Sequence, residues 1–299
     1  MESTNIIIII VILLIVLIGL IGSVILIATN RNVRPILWSY WEIKPGSTKP
    51  PYIDLCFKTF YHHCSKLFDI HILNERTVYD WLPDLRKDLN ELGLAAKSDY
   101  IRVALLSRYG GVWLDADTII MTDLSEIIRR LDEGWDFVGF GCTGNICQTN
   151  GYPRPSNQAM ASQRNSILMR KTLIDLDNAL NRYFAEPLDK RKPFGYFDLG
   201  KMVIWKNIDE LKKSQNYDYY HFPSSADGSR DVEGRWVAPN LIFKEPIQLM
   251  DPSKLQIVFL ANSIYCGKDP KYNWFCHLSE KEILDGPYFV SSLFRKSLA

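Results

Sequence analysis

Two carboxylates separated by one residue, Asp115 and Asp117, follow an apolar run and a Gly-Gly turn. In an extended or turning backbone, residues i and i+2 point the same way, so both side chains can face one ligand. Carboxylate oxygens bind Mn²⁺ and Mg²⁺, and such an ion neutralises the charge that develops on a diphosphate leaving group. One carboxylate could hold the ion while the other holds its water or a ribose. The alternative for this pair is a polar turn after a strand.

A second charged pair, Asp99 and Arg102, precedes the acidic turn at a spacing of i, i+3. On a helix this spacing places both side chains on one face. Beside the acidic turn the pair predicts a ligand-binding function. The alternative is a surface salt bridge, which contributes under about 1 kcal/mol.

The elements that position these residues follow from the apolar periodicity. Residues 95–109 are predicted to form an amphipathic helix that Gly110 and Gly111 end, and residues 112–114 to form a short strand. The other predicted strands are 36–41, 68–73, 118–120 and 137–140, and the other predicted helices are 53–64, 78–94 with a break at Pro83, 124–131, 166–184, one within 194–211, and 279–298. Strands that alternate with helices predict an α/β domain with a mixed, mainly parallel sheet flanked by helices.

The motif around the acidic turn resembles a known family. The residues that carry the resemblance are Ser98-Asp99-x-x-Arg102, Leu105-Leu106 and Tyr109-Gly110-Gly111-Val112-Trp113-Leu114-Asp115-x-Asp117. Together they resemble glycosyltransferase family 32 and the related capsular polysaccharide synthesis proteins. The resemblance extends to Ile36–Trp41, Pro50-Pro51 and Cys56 upstream, and more faintly to Asn157–Ser162 downstream. It covers residues 36–165.

The resemblance implies a GT-A-like fold, a UDP- or GDP-sugar donor, Mn²⁺ or Mg²⁺, and sugar transfer with retention of anomeric configuration. It implies that Asp117 ligates the metal and that Asp115 contacts the ribose or donor sugar and a metal-bound water. Asp99 and Arg102 would hold the donor sugar and diphosphate. The remaining implied donor-binding residues are Asn157 and Trp38. Of these, Trp38 would lie against the nucleobase.

Many GT-A enzymes take a further metal or phosphate contact from near the C-terminus. His277 is the candidate for a metal ligand here, although a lone histidine is more often structural. In the family a Ser-Trp pair often lies near this position, whereas here Trp274 precedes the histidine.

Residues 6–28 form an uncharged apolar run. At about 1.5 Å per residue they reach roughly 35 Å, enough for a single-pass membrane helix, with a cleaved signal peptide as the alternative. The predicted organisation is a tail (1–5), a transmembrane helix (6–28), a linker (29–35) and a glycosyltransferase domain (36–299). We expect a Golgi- or ER-type or other internal membrane.

The side of that membrane stays open. Arg31 and Arg34 follow the apolar run whereas only Glu2 precedes it, which favours a cytosolic domain. The six cysteines are compatible with local disulfides, paired by proximity as Cys56/Cys64, Cys142/Cys147 and Cys266/Cys276, which favours a lumenal one.

Charge balance excludes one class of partner. Lys and Arg total 35 and Asp and Glu total 34, so no basic excess indicates nucleic acid. The leading hypothesis is a membrane-anchored, metal-dependent glycosyltransferase, with a glycan, polysaccharide or glycoconjugate as acceptor. Two alternatives remain: an inactive carbohydrate-binding or scaffold protein on the same fold, and a metal-dependent nucleotidyltransferase or hydrolase.

Overall fold

Strands and helices alternate through the first half of the domain. The computed structural model describes residues 34–141, 152–231, 235, 237 and 251–299. The first half contains β1 (Ile36–Tyr40), α1 (Pro51–Cys64), β2 (Asp69–Leu73), α2 (Val78–Trp81), a 3₁₀ turn (Lys87–Glu91), α3 (Leu94–Tyr109), β3 (Gly111–Leu114), β4 (Thr118–Ile120), α4 (Ser125–Asp132) and β5 (Phe137–Gly139).

The second half has shorter strands and more 3₁₀ structure. It contains β6 (Ala159–Ser162), α5 (Ile167–Ala185), a 3₁₀ turn (Leu188–Lys190), α6 (Lys201–Gln215), β7 (Tyr220–His221), a 3₁₀ turn (Ser224–Ala226), β8 (Ile257–Phe259), α7 (Asn262–Tyr265), a 3₁₀ turn (Asn273–His277), α8 (Glu280–Asp285) and α9 (Phe289–Ser297).

Six strands form a mixed sheet in the order β2-β1-β3-β6-β5-β7. Three of its five pairings are parallel, and the two made by β6 are antiparallel. Strands β4 and β8 form a separate antiparallel pair, with Thr118 opposite Phe259. The antiparallel β6 is important for the site, because its N-terminal end lies beside the C-terminal ends of β1 and β3.

Both faces of the main sheet are buried. Successive strand residues contact different cores: Val112 belongs to the core that includes α1, α8 and α9, whereas Trp113 belongs to the core that includes α3, α5 and α6. Strands buried on both faces are typical of α/β domains with helices on each side of the sheet. The predicted α/β class, with a mostly parallel sheet flanked by helices, is therefore confirmed.

Two glycines set the turn from α3 into β3. Gly110 and Gly111 have φ angles of 69° and 94°, a region that residues with a side chain rarely adopt. A Cβ on Gly110 would lie 2.5 Å from the backbone N of Arg164, and one on Gly111 would collide with the carbonyl oxygen of Ile36. The predicted end of the helix is confirmed, and the close approach of the backbones explains why both residues lack side chains.

Most helices lie where the periodicity predicts them. The region 78–94 splits into α2 and a 3₁₀ turn around Pro83, and the C-terminal region 279–298 splits into α8 and α9 at Gly286. Strands β6, β7 and β8 were not predicted, because they are short and lack alternation.

Two other predictions concern the ends of the chain and its thiols. Within the described residues no helix is both long and apolar enough to cross a membrane, and the span predicted at 6–28 lies outside them. The sequence left disulfide formation open, and in the structure Cys56, Cys64, Cys266 and Cys276 are free thiols. The Cys142/Cys147 pair lies outside the described residues.

Candidate active site

A cavity of about 640 Å³ opens at the edge of the main sheet where β1 and β3 end. Asp115 and Asp117 line it, together with Asp99, Arg102 and Asn157. In open α/β sheets, ligands bind outside the carboxyl ends of the strands. The structure therefore brings five of the predicted site residues to one cavity.

The pairing of β3 with β6 places Asn157 beside the acidic turn. Leu114 lies opposite Ala159 in the antiparallel register, and the ladder continues with a bond of 2.8 Å from the Asp115 amide to the Gln158 carbonyl. Asn157 immediately precedes Gln158 in the chain, and its side-chain amide donates to Asp99 Oδ1 at 2.7 Å.

Arg102 is surrounded by protein partners. Its guanidinium lies 3.2 Å from Asp99 and 3.1 Å from Asp115. It also donates to the Ser98 carbonyl and hydroxyl and to the Asn157 carbonyl. Only 5% of its side chain is exposed. Every nitrogen of the guanidinium thus has a partner within the protein, so Arg102 positions the carboxylates and has no free donor for a diphosphate.

The two aspartates of the acidic turn have different surroundings. Asp115 Oδ1 accepts a bond of 2.8 Å from the Trp113 indole and pairs with Arg102. Asp117 has no ion pair within the described residues, and the one hydrogen bond that another residue donates to its carboxylate comes from the Asn262 amide at 2.8 Å. Burial, followed by the nearby Asp115 carboxylate, raises the pKa of Asp117. Asp117 is therefore a partly buried carboxylate that forms no ion pair with a described residue.

The end of β8 holds the backbone around Asp117. The Leu260 amide donates to the Asp117 carbonyl at 2.9 Å, and Asn262 begins the short helix α7. The Asn262 side-chain oxygen accepts a bond of 2.5 Å from the buried Tyr52 hydroxyl. Asn262 and Tyr52 were missed from the sequence, because the bond to Asp117 is made by a backbone amide 145 residues away.

The donor set fits a divalent cation. A carboxylate that forms no ion pair with a described residue suits Mn²⁺ or Mg²⁺, and Mg²⁺ is commonly held by one or two carboxylates plus substrate phosphates and water. Among the described residues no group of three or more His, Cys, Asp and Glu side chains could hold a metal ion. The protein thus offers Asp117 and Asp115, and the remaining ligands would come from the substrate and water.

His277 does not join this group. It ends the 3₁₀ turn Asn273–His277 with an exposed side chain, and it is not part of the cavity wall. The structure therefore does not place His277 among the residues that line this cavity, and its role as a metal ligand stays a prediction.

Trp38 also lies elsewhere than predicted. Its side chain is fully buried, its indole donates to the Gly110 carbonyl at 2.9 Å, and it packs edge-on against Trp81. A nucleobase cannot reach this ring, so the predicted base contact is corrected to a core position. Trp41, three residues later, does line the cavity, and its indole nitrogen has no hydrogen-bond partner.

The fold and the acidic cavity define a protein of the α/β class with a candidate nucleotide-sugar site. The model of the capsular polysaccharide synthesis protein family matches residues 27–219. The match spans more than half of the chain, and the chain belongs to this family. The predicted resemblance is confirmed, and with it the enzyme class that the family implies, glycosyltransferase.

Solved structures that align with the chain are also glycosyltransferases, at low identity. GlyE from Streptococcus pneumoniae has a TM-score of 0.44 and 12% identity over 90% of this chain and 61% of its own. The galactosyltransferase LgtC, solved with donor and acceptor sugar analogues, has a TM-score of 0.44 and 8% identity over 82% of this chain and 98% of its own. Mouse xyloside xylosyltransferase 1 has a TM-score of 0.42 and 11% identity over 76% of this chain and 97% of its own. These TM-scores are low, so the assignment rests on the family match. No curated protein matches the chain.

Proposed function

We propose that the chain is a membrane-anchored, divalent-metal-dependent glycosyltransferase with a GT-A-like fold. It transfers a sugar from a UDP- or GDP-sugar to a glycan, polysaccharide or glycoconjugate, with retention of anomeric configuration. The observation that supports this proposal is a difference in ion pairing among the three carboxylates that line one cavity. Asp99 and Asp115 share Arg102, whereas Asp117 forms no ion pair with a described residue.

The metal would be held by Asp117 directly and by Asp115 through water. When bound, Mn²⁺ or Mg²⁺ supplies positive charge to the diphosphate leaving group. The Asn262 amide fixes one oxygen of Asp117, which leaves the carboxylate a defined orientation toward the cavity. The Trp113 indole fixes Asp115 in the same way.

Donor binding is assigned to the residues around Arg102. Asp99 and Asn157 are held against each other by a bond of 2.7 Å and line the cavity, so they are placed to bind hydroxyl groups of the donor sugar. Arg102 neutralises the acidic residues and fixes their spacing. Trp41 takes the role of nucleobase contact, because it lines the cavity where Trp38 does not.

A donor screen tests this function. The full chain in detergent is incubated with a panel of UDP- and GDP-sugars, with Mn²⁺ or with EDTA, and the products are identified by mass spectrometry. We expect one nucleotide sugar to be hydrolysed or transferred only when the metal is present. Asp117→Asn should abolish this turnover, whereas Asp80→Asn, the same change at an exposed site, should not.

Other outcomes of the screen would contradict the proposal. No turnover across the panel would favour an inactive carbohydrate-binding or scaffold protein. Transfer of a nucleotidyl or phosphoryl group in place of a sugar would favour the nucleotidyltransferase or hydrolase alternative. The retained configuration follows from the family resemblance, and the anomeric proton of the product in an NMR spectrum tests it.

Membrane attachment through residues 6–28 is part of the proposal, in an internal membrane such as that of the ER or Golgi. The support is the uncharged apolar run itself, which is long enough to span a bilayer. Carbonate extraction of membranes from expressing cells should leave the full chain in the pellet. Its release into the supernatant would contradict the anchor.

A further inference from the structure

A segment that runs from the loop after α5 into the first residue of α6 forms one wall of the cavity and is not used by the donor site. Tyr196, Phe197 and Lys201 of this segment line the cavity. Gly200 anchors it, because the position of its missing Cβ is 2.6 Å from Asp99 Oδ2 and still closer to the Asn157 amide. At Gly200 the wall therefore packs directly against Asp99 and Asn157, the residues assigned to the donor sugar.

Tyr196 connects this wall to the acidic end of the cavity. Its hydroxyl bonds to the Ser263 side chain, and the carboxylates of Asp117, Asp115 and Asp99 act on it electrostatically. Ser263 follows Asn262, whose amide holds Asp117. Tyr196 therefore lines the cavity near its acidic residues.

The two aromatic rings of the segment are unusually solvated for their position. Tyr196 is 66% exposed and Phe197 is 46% exposed. Exposed aromatic side chains on a cavity wall mark binding sites more often than exposed aromatics elsewhere on a surface. Flat aromatic faces suit the apolar C–H faces of sugar rings, so the chemistry of this wall fits a carbohydrate.

Lys201 adds a positive charge that no carboxylate neutralises. Its ammonium lies 3.6 Å from the centre of the Phe197 ring, and it forms no ion pair and no hydrogen bond with a described residue. Burial alone lowers its pKa, with no acidic neighbour to oppose the shift. By contrast, Arg102, which is buried at the same cavity, has all its donors occupied. Lys201 is thus a charge available to a second ligand.

We propose that Tyr196, Phe197 and Lys201 form an acceptor subsite for an anionic sugar, which stacks on one of the two perpendicular rings and places a carboxylate or phosphate at Lys201. The subsite rests on the proposed glycosyltransferase function and deepens it by naming the chemical class of the acceptor. The contact of Gly200 with Asp99 sets the acceptor sugar beside the donor sugar, as transfer between them requires.

Matched neutral and anionic probes test this subsite. The full chain in detergent, loaded with Mn²⁺ and UDP or GDP, is titrated by saturation-transfer NMR with p-nitrophenyl glucoside and p-nitrophenyl glucuronide, and with glucose and glucose 6-phosphate. We expect the anionic member of at least one pair to bind about tenfold more tightly, the usual effect of one charge-assisted hydrogen bond. The pair that shows the preference distinguishes a carboxylate from a phosphate.

Variants separate the charge from the packing. Lys201→Met keeps the side-chain stem over Phe197 and should abolish the preference for the anion, while Phe197→Ala should weaken neutral and anionic probes alike. The control is Lys206→Met on the same helix, since Lys206 pairs with Asp175 on the surface and should leave every affinity unchanged.

Two results would overturn the subsite: equal affinity of the wild type for both members of both pairs, or an anion preference that survives Lys201→Met. Failure of the proposed function has a different signature, since the wild type would then show no metal-dependent donor turnover. Donor hydrolysis in the absence of acceptor is measured alongside. It should persist in Lys206→Met, because this lysine pairs with Asp175 on the surface.

Discussion

Replacing Arg102 by methionine removes the cation between two buried carboxylates. The Asp99 side chain is 7% exposed and the Asp115 side chain is 21% exposed, so neither carboxylate gains full solvation when the guanidinium is lost. Breaking a buried ion pair by removing one partner costs about 3–5 kcal/mol. Because the cavity admits water near Asp115, we expect the lower end, about 3 kcal/mol of unfolding free energy.

That loss converts into a measurable change in melting temperature. For domains of 150–250 residues, 1 kcal/mol corresponds to roughly 2–4 °C, so Arg102→Met should melt about 6–12 °C below the wild type. The assay is thermal unfolding followed by circular dichroism, with urea unfolding as a second measure of the free energy. Both are done in EDTA so that no metal contributes.

Arg108→Met on the same helix is the matched control. Arg108 forms a bidentate pair with Asp84, but both side chains are well exposed, and such surface pairs contribute at most about 1 kcal/mol. The double variant Arg102→Met/Asp99→Asn removes one of the two orphaned charges and should recover part of the loss. If Arg102→Met were no less stable than Arg108→Met, Arg102 would not be neutralising a buried acidic cluster.

Three further predictions concern single sites. Gly200→Ala should lower donor turnover at least tenfold, because the new Cβ displaces Asp99. Gly93→Ala should leave turnover intact, because a Cβ there meets nothing within 4 Å, and equal turnover in the two variants would refute the anchoring contact. Trp38→Phe should destabilise the fold by about 1–3 kcal/mol, through an unsatisfied buried carbonyl, without changing nucleotide affinity measured by calorimetry; weakened nucleotide binding at unchanged stability would restore a role at the base. Burial raises the pKa of Asp227 from 3.8 to about 6, so its contribution to the free energy of unfolding is full below about pH 4 and falls by roughly 3 kcal/mol as the pH rises through 6. The free energy of unfolding in urea, measured between pH 4 and 7, should therefore depend less on pH in Asp227→Asn than in the wild type. Identical pH dependences would contradict this prediction.

Local patterns in the sequence predicted the acidic end of the cavity because its residues lie close together in the chain. Helix α3, the two glycines and the acidic turn form one continuous stretch, and the turn brings both carboxylates to the end of a strand. The i, i+3 spacing also predicted the contact between Asp99 and Arg102. The spacing could not predict that this pair would be buried, or that every N–H group of the Arg102 guanidinium would bond to a protein group.

The aromatic residues of β1 show why other assignments failed. A strand buried on both faces lacks alternation, so nothing in the pattern distinguishes the core Trp38 from Trp41 at the cavity. The position of His277 outside the cavity wall could not be predicted for a related reason, because the direction of a side chain on a 3₁₀ turn depends on packing that local sequence does not encode. The wall around Gly200 depends on a contact with Asp99, about a hundred residues earlier, which no local pattern reveals.

The central claim is that Asp117 holds a divalent metal together with a nucleoside diphosphate. Calorimetric titration of Mn²⁺ into the full chain, in the presence of UDP and in parallel of GDP, measures this directly. We expect one Mn²⁺ per chain with the cognate nucleotide, at least tenfold weaker binding in Asp117→Asn, and no change in Asp80→Asn. Binding of Mn²⁺ by Asp117→Asn with wild-type affinity, or no binding by the wild type with either nucleotide, would contradict the claim.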